Sequence, residues 1–102
     1  METLDVSVAS IATIINKFYV YVLFSYKDKG LYIGYTTDLK KRLIAHVKGQ
    51  VTSTRLRRPF KLIHYEYFIS KVDAKAREKF LKSGFGRKQL KQALKRTLLK
   101  EN

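Results

Sequence analysis

A small α+β fold, a three-stranded antiparallel sheet flanked by about three helices, is predicted by three features of this sequence. Two aromatic and β-branched runs, Phe18–Phe24 and Leu31–Tyr35, are joined by the polar stretch 25–30. A third such run, Phe60–Phe68, follows Pro59. Around these runs, apolar residues recur at helical spacing, from Leu39 to Val47 and again beyond Lys71.

Residues 1–17 read as an amino-terminal appendage to a domain at 18–100. Leu4, Val8, Ile11 and Ile15 recur at helical spacing with Ser7 or Asp5 as a cap, so a short docking helix and a frayed tail both fit. The apolar stretch within it is short for a membrane span and is preceded by Glu2 and Asp5 rather than by basic residues. No membrane partner is expected, and the expected location is cytoplasmic.

On the first strand Tyr19, Tyr21 and Leu23 share one face while Val20, Val22 and Phe24 share the other. On the second, Tyr32 and Gly34 lie together, opposite Leu31, Ile33 and Tyr35, which places Tyr35 in the core. Thr36-Thr37-Asp38 offers a cap to a helix over 39–48, and Gly49 stops it. Leu39, Leu43 and Val47 form its apolar stripe, with Arg42 and His46 one turn apart on the flank.

The segment 50–59 is a basic loop, with Thr52, Ser53, Thr54, Arg55, Arg57 and Arg58 suited to phosphate contacts or to a solvated surface. The third strand alternates imperfectly, and His64 within it reads as structural. A helix follows over about Lys71 to Ser83, ended by Gly84 or Gly86. Its Ala74, Glu78, Leu81 and Phe85 fall on one approximate face, so Glu78 stands where an apolar residue belongs. A carboxylate there needs a cation, a metal or hydrogen-bond donors. Arg87 to Lys100 reads as a single basic amphipathic helix with Leu90, Leu94, Thr97 and Leu98 inward.

At 102 residues the chain has room for one hydrophobic core. Twenty-two Lys and Arg against eight Asp and Glu leave a formal charge of +14. That field attracts polyanions, nucleic acid foremost; DNA, RNA and an anionic membrane surface share the attraction. The absence of cysteine excludes disulfides, thiolate zinc sites and a cysteine nucleophile, and two histidines leave little for a zinc cluster.

Several elements occur in a telling order: Tyr19-Val20-Tyr21, Tyr32-Ile33-Gly34, Asp38 to Leu43 with Arg42, His46, Ser53-Thr54, Arg58-Pro59-Phe60, Tyr65-Glu66, Ala76-Arg77-Glu78 and Gly86-Arg87. In this order the chain resembles the GIY-YIG nucleases, especially their small standalone members, over roughly Phe18 to Leu99. One departure stands out. The glycine that names the first half of the motif is Tyr19 here, while both motif tyrosines, Tyr21 and Tyr32, persist.

The resemblance implies metal-dependent hydrolysis of a nucleic-acid phosphodiester, with Mg²⁺ or Mn²⁺ held by Glu78. It gives Arg42 the phosphate charge and Tyr32 the water nucleophile, with Tyr21 beside it. A carboxylate is a hard oxygen ligand for such an ion, and a guanidinium fork matches nonbridging oxygens as lysine does not. Water activation by a phenol requires nearby positive charge. His46 sits close enough in sequence to share the cleft, as base, phosphate contact or packing residue. Thr54, Arg55, Arg57, Arg58, Lys61 and Arg87 are the expected contacts to the sugar-phosphate backbone.

The enzyme reading is thus a DNA endonuclease, weakly specific or structure-selective and linked to repair or recombination, with RNA compatible with the same charge. The alternative is a nucleic-acid-binding module that does not cut, or a scaffold for a larger repair protein. A monomer is the simpler expectation, with the strand edge or the first or last helix as routes to a homodimer.

Overall fold

The computed structural model describes residues 17–101. Apart from Lys17, the amino-terminal appendage lies outside the described residues. Three antiparallel strands, β1 (Phe18–Ser25), β2 (Leu31–Thr36) and β3 (Phe60–Phe68), form one sheet in the order β2-β1-β3. Helix α1 (Leu39–Val47) follows β2, and α2 (Lys71–Lys82), α3 (Gly84–Ala93) and α4 (Lys95–Glu101) follow β3. Among the described residues no helix is long and apolar enough to cross a membrane.

The central position of β1 explains its composition. It has a partner on each edge and a layer against each face, so the stretch from Val20 to Ser25 is buried without interruption. Val20, Val22 and Phe24 meet Leu31 and Ile33 of β2, Ala74 and Leu81 of α2 and Leu90 of α3 in one apolar cluster, against which Tyr35 packs. Tyr19 and Tyr21 face the other side. The imperfect alternation of β3 has a cause: pairing passes from Val22↔His64 to Leu23↔Leu62, leaving Ile63 as an extra residue in a bulge.

Helix α1 begins and ends as its sequence predicts. Asp38 accepts from the backbone N–H of Lys41 at 3.1 Å, and Gly49 takes a positive φ of 73° just past the helix. Its phase differs from the apolar reading by about one residue. Val47 is 73% exposed, and the buried residue of α1 is His46.

The carboxyl-terminal region also differs. Gly84 and Gly86 do not merely stop α2; they open α3. The Ser83 hydroxyl joins the two helices, donating to the Phe80 carbonyl at 2.6 Å and accepting from the Gly86 N–H at 3.1 Å. The expected single helix from Arg87 is broken at Leu94, whose ψ of 18° leaves the helical region. Leu94 and Leu98, one turn apart, both pack on the core, and beyond the break Glu101 reaches the β1–β2 turn and β3. There Glu101 accepts from the Tyr26 hydroxyl and pairs with Lys61 at 2.8 Å. Phe85, expected on the inner face with Ala74 and Leu81, is 65% exposed because it lies beyond the end of α2.

The loop 50–59 contains one short 3-10 turn, Arg55–Arg57, and is tied to the β1–β2 hairpin turn. Ser25 Oγ donates to the Arg57 carbonyl at 2.6 Å, Arg57 pairs with Asp28, Lys27 Nζ donates to the Leu56 carbonyl at 2.9 Å, and the Tyr26 N–H donates to the Pro59 carbonyl at 2.9 Å.

The α2–α3 junction gives a paired test. A methyl group at Gly86 would sit 1.9 Å from the Phe80 carbonyl oxygen, whereas at Gly84 it would meet nothing within 4 Å. Urea denaturation should show Gly86→Ala less stable by about 1–3 kcal/mol, and Gly84→Ala within about 1 kcal/mol of the parent or more stable. Equal effects would contradict the close packing at Ser83.

Candidate active site

On the face opposite the apolar cluster, β1 presents Tyr21 directly across from Gly34 of β2. The phenol lies over the glycine: a Cβ there would be 2.3 Å from Tyr21 Cζ and 2.4 Å from its hydroxyl. This steric fact accounts for a glycine in the middle of a strand. Tyr21 is fully buried, and its hydroxyl is 2.7 Å from Nε2 of His46, delivered by α1. Nδ1 of the same imidazole is 2.8 Å from the hydroxyl of Thr54, itself fully buried, which donates to the Val51 carbonyl at 3.4 Å.

One assignment of protons satisfies every group in this row. Thr54 donates to Val51, His46 Nδ1–H donates to Thr54, and the Tyr21 hydroxyl donates to Nε2. The Tyr21 oxygen then remains free to accept from Arg42 Nε–H at 3.3 Å. Tyr32, partly exposed, completes the group, its ring centroid 6.2 Å from that of Tyr21 and 5.2 Å from that of His46.

Burial sets the protonation states. Desolvation pushes the Tyr21 phenol up to about 12, with the Arg42 hydrogen bond opposing only part of the rise. Desolvation, joined by the Arg42 charge, pushes His46 down to about 4. At neutral pH the pair is therefore a protonated phenol and a neutral imidazole, as the hydrogen-bond row requires. The Arg42 guanidinium is held above its usual range, chiefly by its bond to Tyr21.

Tyr21, Tyr32, Arg42 and His46 thus come together as the sequence suggests, and His46 is the buried partner of Tyr21 rather than a residue open to phosphate. Thr54 also has an internal place. Its expected contact to the sugar-phosphate backbone gives way to holding His46, because no part of it reaches the surface. The signal was the short polar stretch Thr52-Ser53-Thr54, but sequence spacing does not say which hydroxyl turns inward.

The expected backbone contacts divide by what already holds them. Arg57 is engaged with Asp28 and the Leu31 carbonyl. Arg58 reaches the carbonyls of Arg55 and Val47, lying across Gly49 and closing the end of α1. Lys61 is paired with Glu101. Arg55 is exposed, and Arg87 lies at the start of α3 beside Lys88 and Lys91. His64 is structural as expected, bonded at 2.9 Å to Glu66, which accepts a two-point fork from Arg77.

Glu78 comes from α2, whose Ala74 and Leu81 pack on the apolar face of the sheet. Its side chain is 14% exposed, with its oxygens 3.2 Å and 3.0 Å from Lys75 and Lys82. Lys75 also sits 4.5 Å over the ring of Tyr35 on β2, so this part of α2 borders the edge strand that carries Tyr32. Among the described residues there is no cluster of three or more His, Cys, Asp or Glu. A metal here would therefore be held by one carboxylate and completed by water and phosphate oxygens, which suits Mg²⁺. Glu78 fits that role in charge: burial pushes its carboxyl up, but hydrogen bonds from Lys82 and Lys75 outweigh it and leave the group below the usual carboxylate value. Both lysines are about half exposed and free to swing off its oxygens.

Two outcomes follow from the buried row. Between pH 6.5 and about 4 the unfolded imidazole of His46 takes up a proton that the folded protein refuses. Stability conferred by folding His46 neutral is full above pH 6.5 and falls as pH drops through this window, by roughly 3 kcal/mol in all. The stability difference between the parent and His46→Gln should slope in that window and be flat above it. In Gly34→Ala the Tyr21 ring must move, so its hydroxyl resonance should lose the shift imposed by His46, while Gly30→Ala leaves it unchanged.

Comparison with known proteins agrees with this geometry. The GIY-YIG catalytic domain family matches residues 17–92. The UPF0213 protein SSP2268 of Staphylococcus saprophyticus is 40% identical over 77 residues, spanning 74% of this chain and 93% of that protein. The UPF0213 protein SpyM50708 of Streptococcus pyogenes serotype M5 is 49% identical over 75 residues, spanning 72% and 80%. Among solved structures, the solution NMR structure of the UPF0213 protein BH0048 from Bacillus halodurans is similar with a TM-score of 0.50 and 38% identity, covering 76% of this chain and 84% of that one. With the motif tyrosines, the first-helix arginine and the sheet order all in place, the chain belongs to the GIY-YIG family.

Proposed function

We propose that the protein is an endonuclease that hydrolyses DNA phosphodiester bonds with Mg²⁺ or Mn²⁺ held by Glu78. The observation that carries this reading is the convergence of Tyr21, Tyr32 and Arg42 on one face of the sheet, in a chain of charge +14. A bound divalent ion would stabilise negative charge developing on the phosphate and leaving oxygen.

The other roles belong to this chain's own side chains. Arg42 uses Nε on Tyr21, which fixes the plane of the guanidinium and leaves its terminal nitrogens to donate to nonbridging oxygens. Tyr32, partly exposed next to that cation, orients the attacking water. Tyr21 stays protonated and serves as the fixed point against which Arg42 and Tyr32 are set. His46 acts through Tyr21 as a positioning residue. A basic surface gives affinity independent of sequence, so weak specificity or selection by DNA structure is expected, as repair or recombination would require.

One observation favours a second reading, a binding module without cleavage: Lys75 and Lys82 already neutralise the Glu78 carboxylate. A panel of duplex, nicked, flap, branched and single-stranded DNA, beside RNA, with Mg²⁺, Mn²⁺ or EDTA, separates the two. Cleavage should require the metal and vanish in folded Glu78→Ala. Arg42→Ala should lose about 10²–10³ in rate and Tyr32→Phe about 10²–10⁴. Undiminished cutting by Glu78→Ala would end the metal assignment, and tight binding without cutting on every substrate would favour the binding module.

A further inference from the structure

The tyrosine-rich face extends beyond the cluster just described. Tyr65 of β3 lies opposite Tyr21, and Tyr67 lies opposite Tyr19, two residues earlier on β1. The Tyr19 ring contacts both, with centroids 6.1 Å from Tyr65 and 5.7 Å from Tyr67 at interplanar angles of 63° and 55°. The rings are tilted rather than stacked flat. Tyr65 and Tyr67 are 52% and 45% exposed, so ring surface remains open to solvent.

Three phenols brought together at a surface call for a reason, because aromatic rings gain most from burial. Charge indicates the occupant. Tyr19 also walls a hollow lined by Lys17, Lys40 and Lys48 together with Asp38 and four apolar side chains of α1. A second copy of a chain carrying +14 would meet strong repulsion there, whereas a polyanion would be drawn in.

We propose that Tyr19, Tyr65 and Tyr67 form a stacking platform for unpaired bases of single-stranded DNA, whose backbone runs along Lys17, Lys40 and Lys48. The proposal deepens the nuclease reading and rests on it, by naming the form of DNA the cluster meets. Bases in a duplex already have both faces covered by their neighbours, so only an unpaired stretch offers a face to these rings. Tyr19 and Tyr21 are two residues apart on β1, about 7 Å. Arg42 bonds the Tyr21 hydroxyl and Tyr65 lies across from Tyr21, so bases on the platform would lie beside a phosphate held at Arg42.

Binding measured in EDTA tests the platform without any need for cleavage. Fluorescence anisotropy would compare an oligothymidylate with a blunt duplex of matched length for the parent, Tyr65→Ala, Tyr67→Ala and Tyr65→Phe. Each alanine variant should bind the single strand about five- to a hundredfold more weakly, bind the duplex within about twofold of the parent, and keep the same salt dependence. Tyr65→Phe, which retains the ring, should bind the single strand like the parent. Unchanged single-strand binding by both alanine variants overturns the platform. So does an equal loss on both ligands, or a Tyr65→Phe as weak as Tyr65→Ala. Self-association of the parent abolished by Tyr65→Ala, with DNA binding intact, would make the face an interface between copies instead. Selective loss of single-strand binding in a protein that cuts nothing would leave the platform standing and the nuclease reading fallen; metal-dependent cutting with unaffected binding would do the reverse.

Discussion

The buried hydrogen bond between Tyr21 and His46 is the constraint on which the arrangement around it depends. A phenol and an imidazole withdrawn from water must satisfy each other, since an unpaired buried polar group costs about 1–3 kcal/mol. That requirement fixes the rotation of α1 about its axis, turning His46 inward and Val47 out. It draws Thr54 inward to occupy the second imidazole nitrogen, and it requires Gly34 beneath the phenol. Arg42, one helical turn before His46, is thereby carried to the same oxygen. A single pair of polar groups thus coordinates four segments of the chain.

Much of this was legible in the sequence because the strands and α1 obey local rules. Alternation separates Tyr19 and Tyr21 from Val20 and Val22, and Asp38 and Gly49 bracket α1 with ordinary capping chemistry. What the sequence concealed were decisions made by tertiary contact. The phase of α1 followed a polar pair rather than its apolar stripe, since one buried hydrogen bond outweighs the placement of one valine. The break at Leu94 had no glycine or proline to announce it; it accompanies the contacts of Glu101 with Tyr26 and Lys61, which no local pattern specifies. Thr54 among neighbouring hydroxyls and arginines looked like surface for the same reason, because local composition cannot distinguish a side chain facing phosphate from one facing a histidine.

Electrostatics divides the protein along its sheet. One face gathers Tyr21 and His46, both held neutral by burial, beside the Arg42 cation, and α2 carries Glu78 among lysines near the edge strand β2. The carboxylate is kept ionised by neighbours that are themselves loosely held. An arrangement of this kind tolerates the surrounding positive charge without being neutralised by protonation, and it lets an exposed cation be exchanged for another one at little conformational cost.

The hairpin turn between β1 and β2 has a consequence outside the sheet. Its five residues hold the loop 50–59 through Arg57, Leu56 and Pro59, and they hold the last turn of α4 through Tyr26. A loop without a core of its own therefore takes its order from a neighbour that the carboxyl-terminal helix also clasps. Segments of the chain far apart in sequence share one cooperative unit, and a disturbance at Glu101 can reach the threonine that braces His46 without crossing the sheet at all.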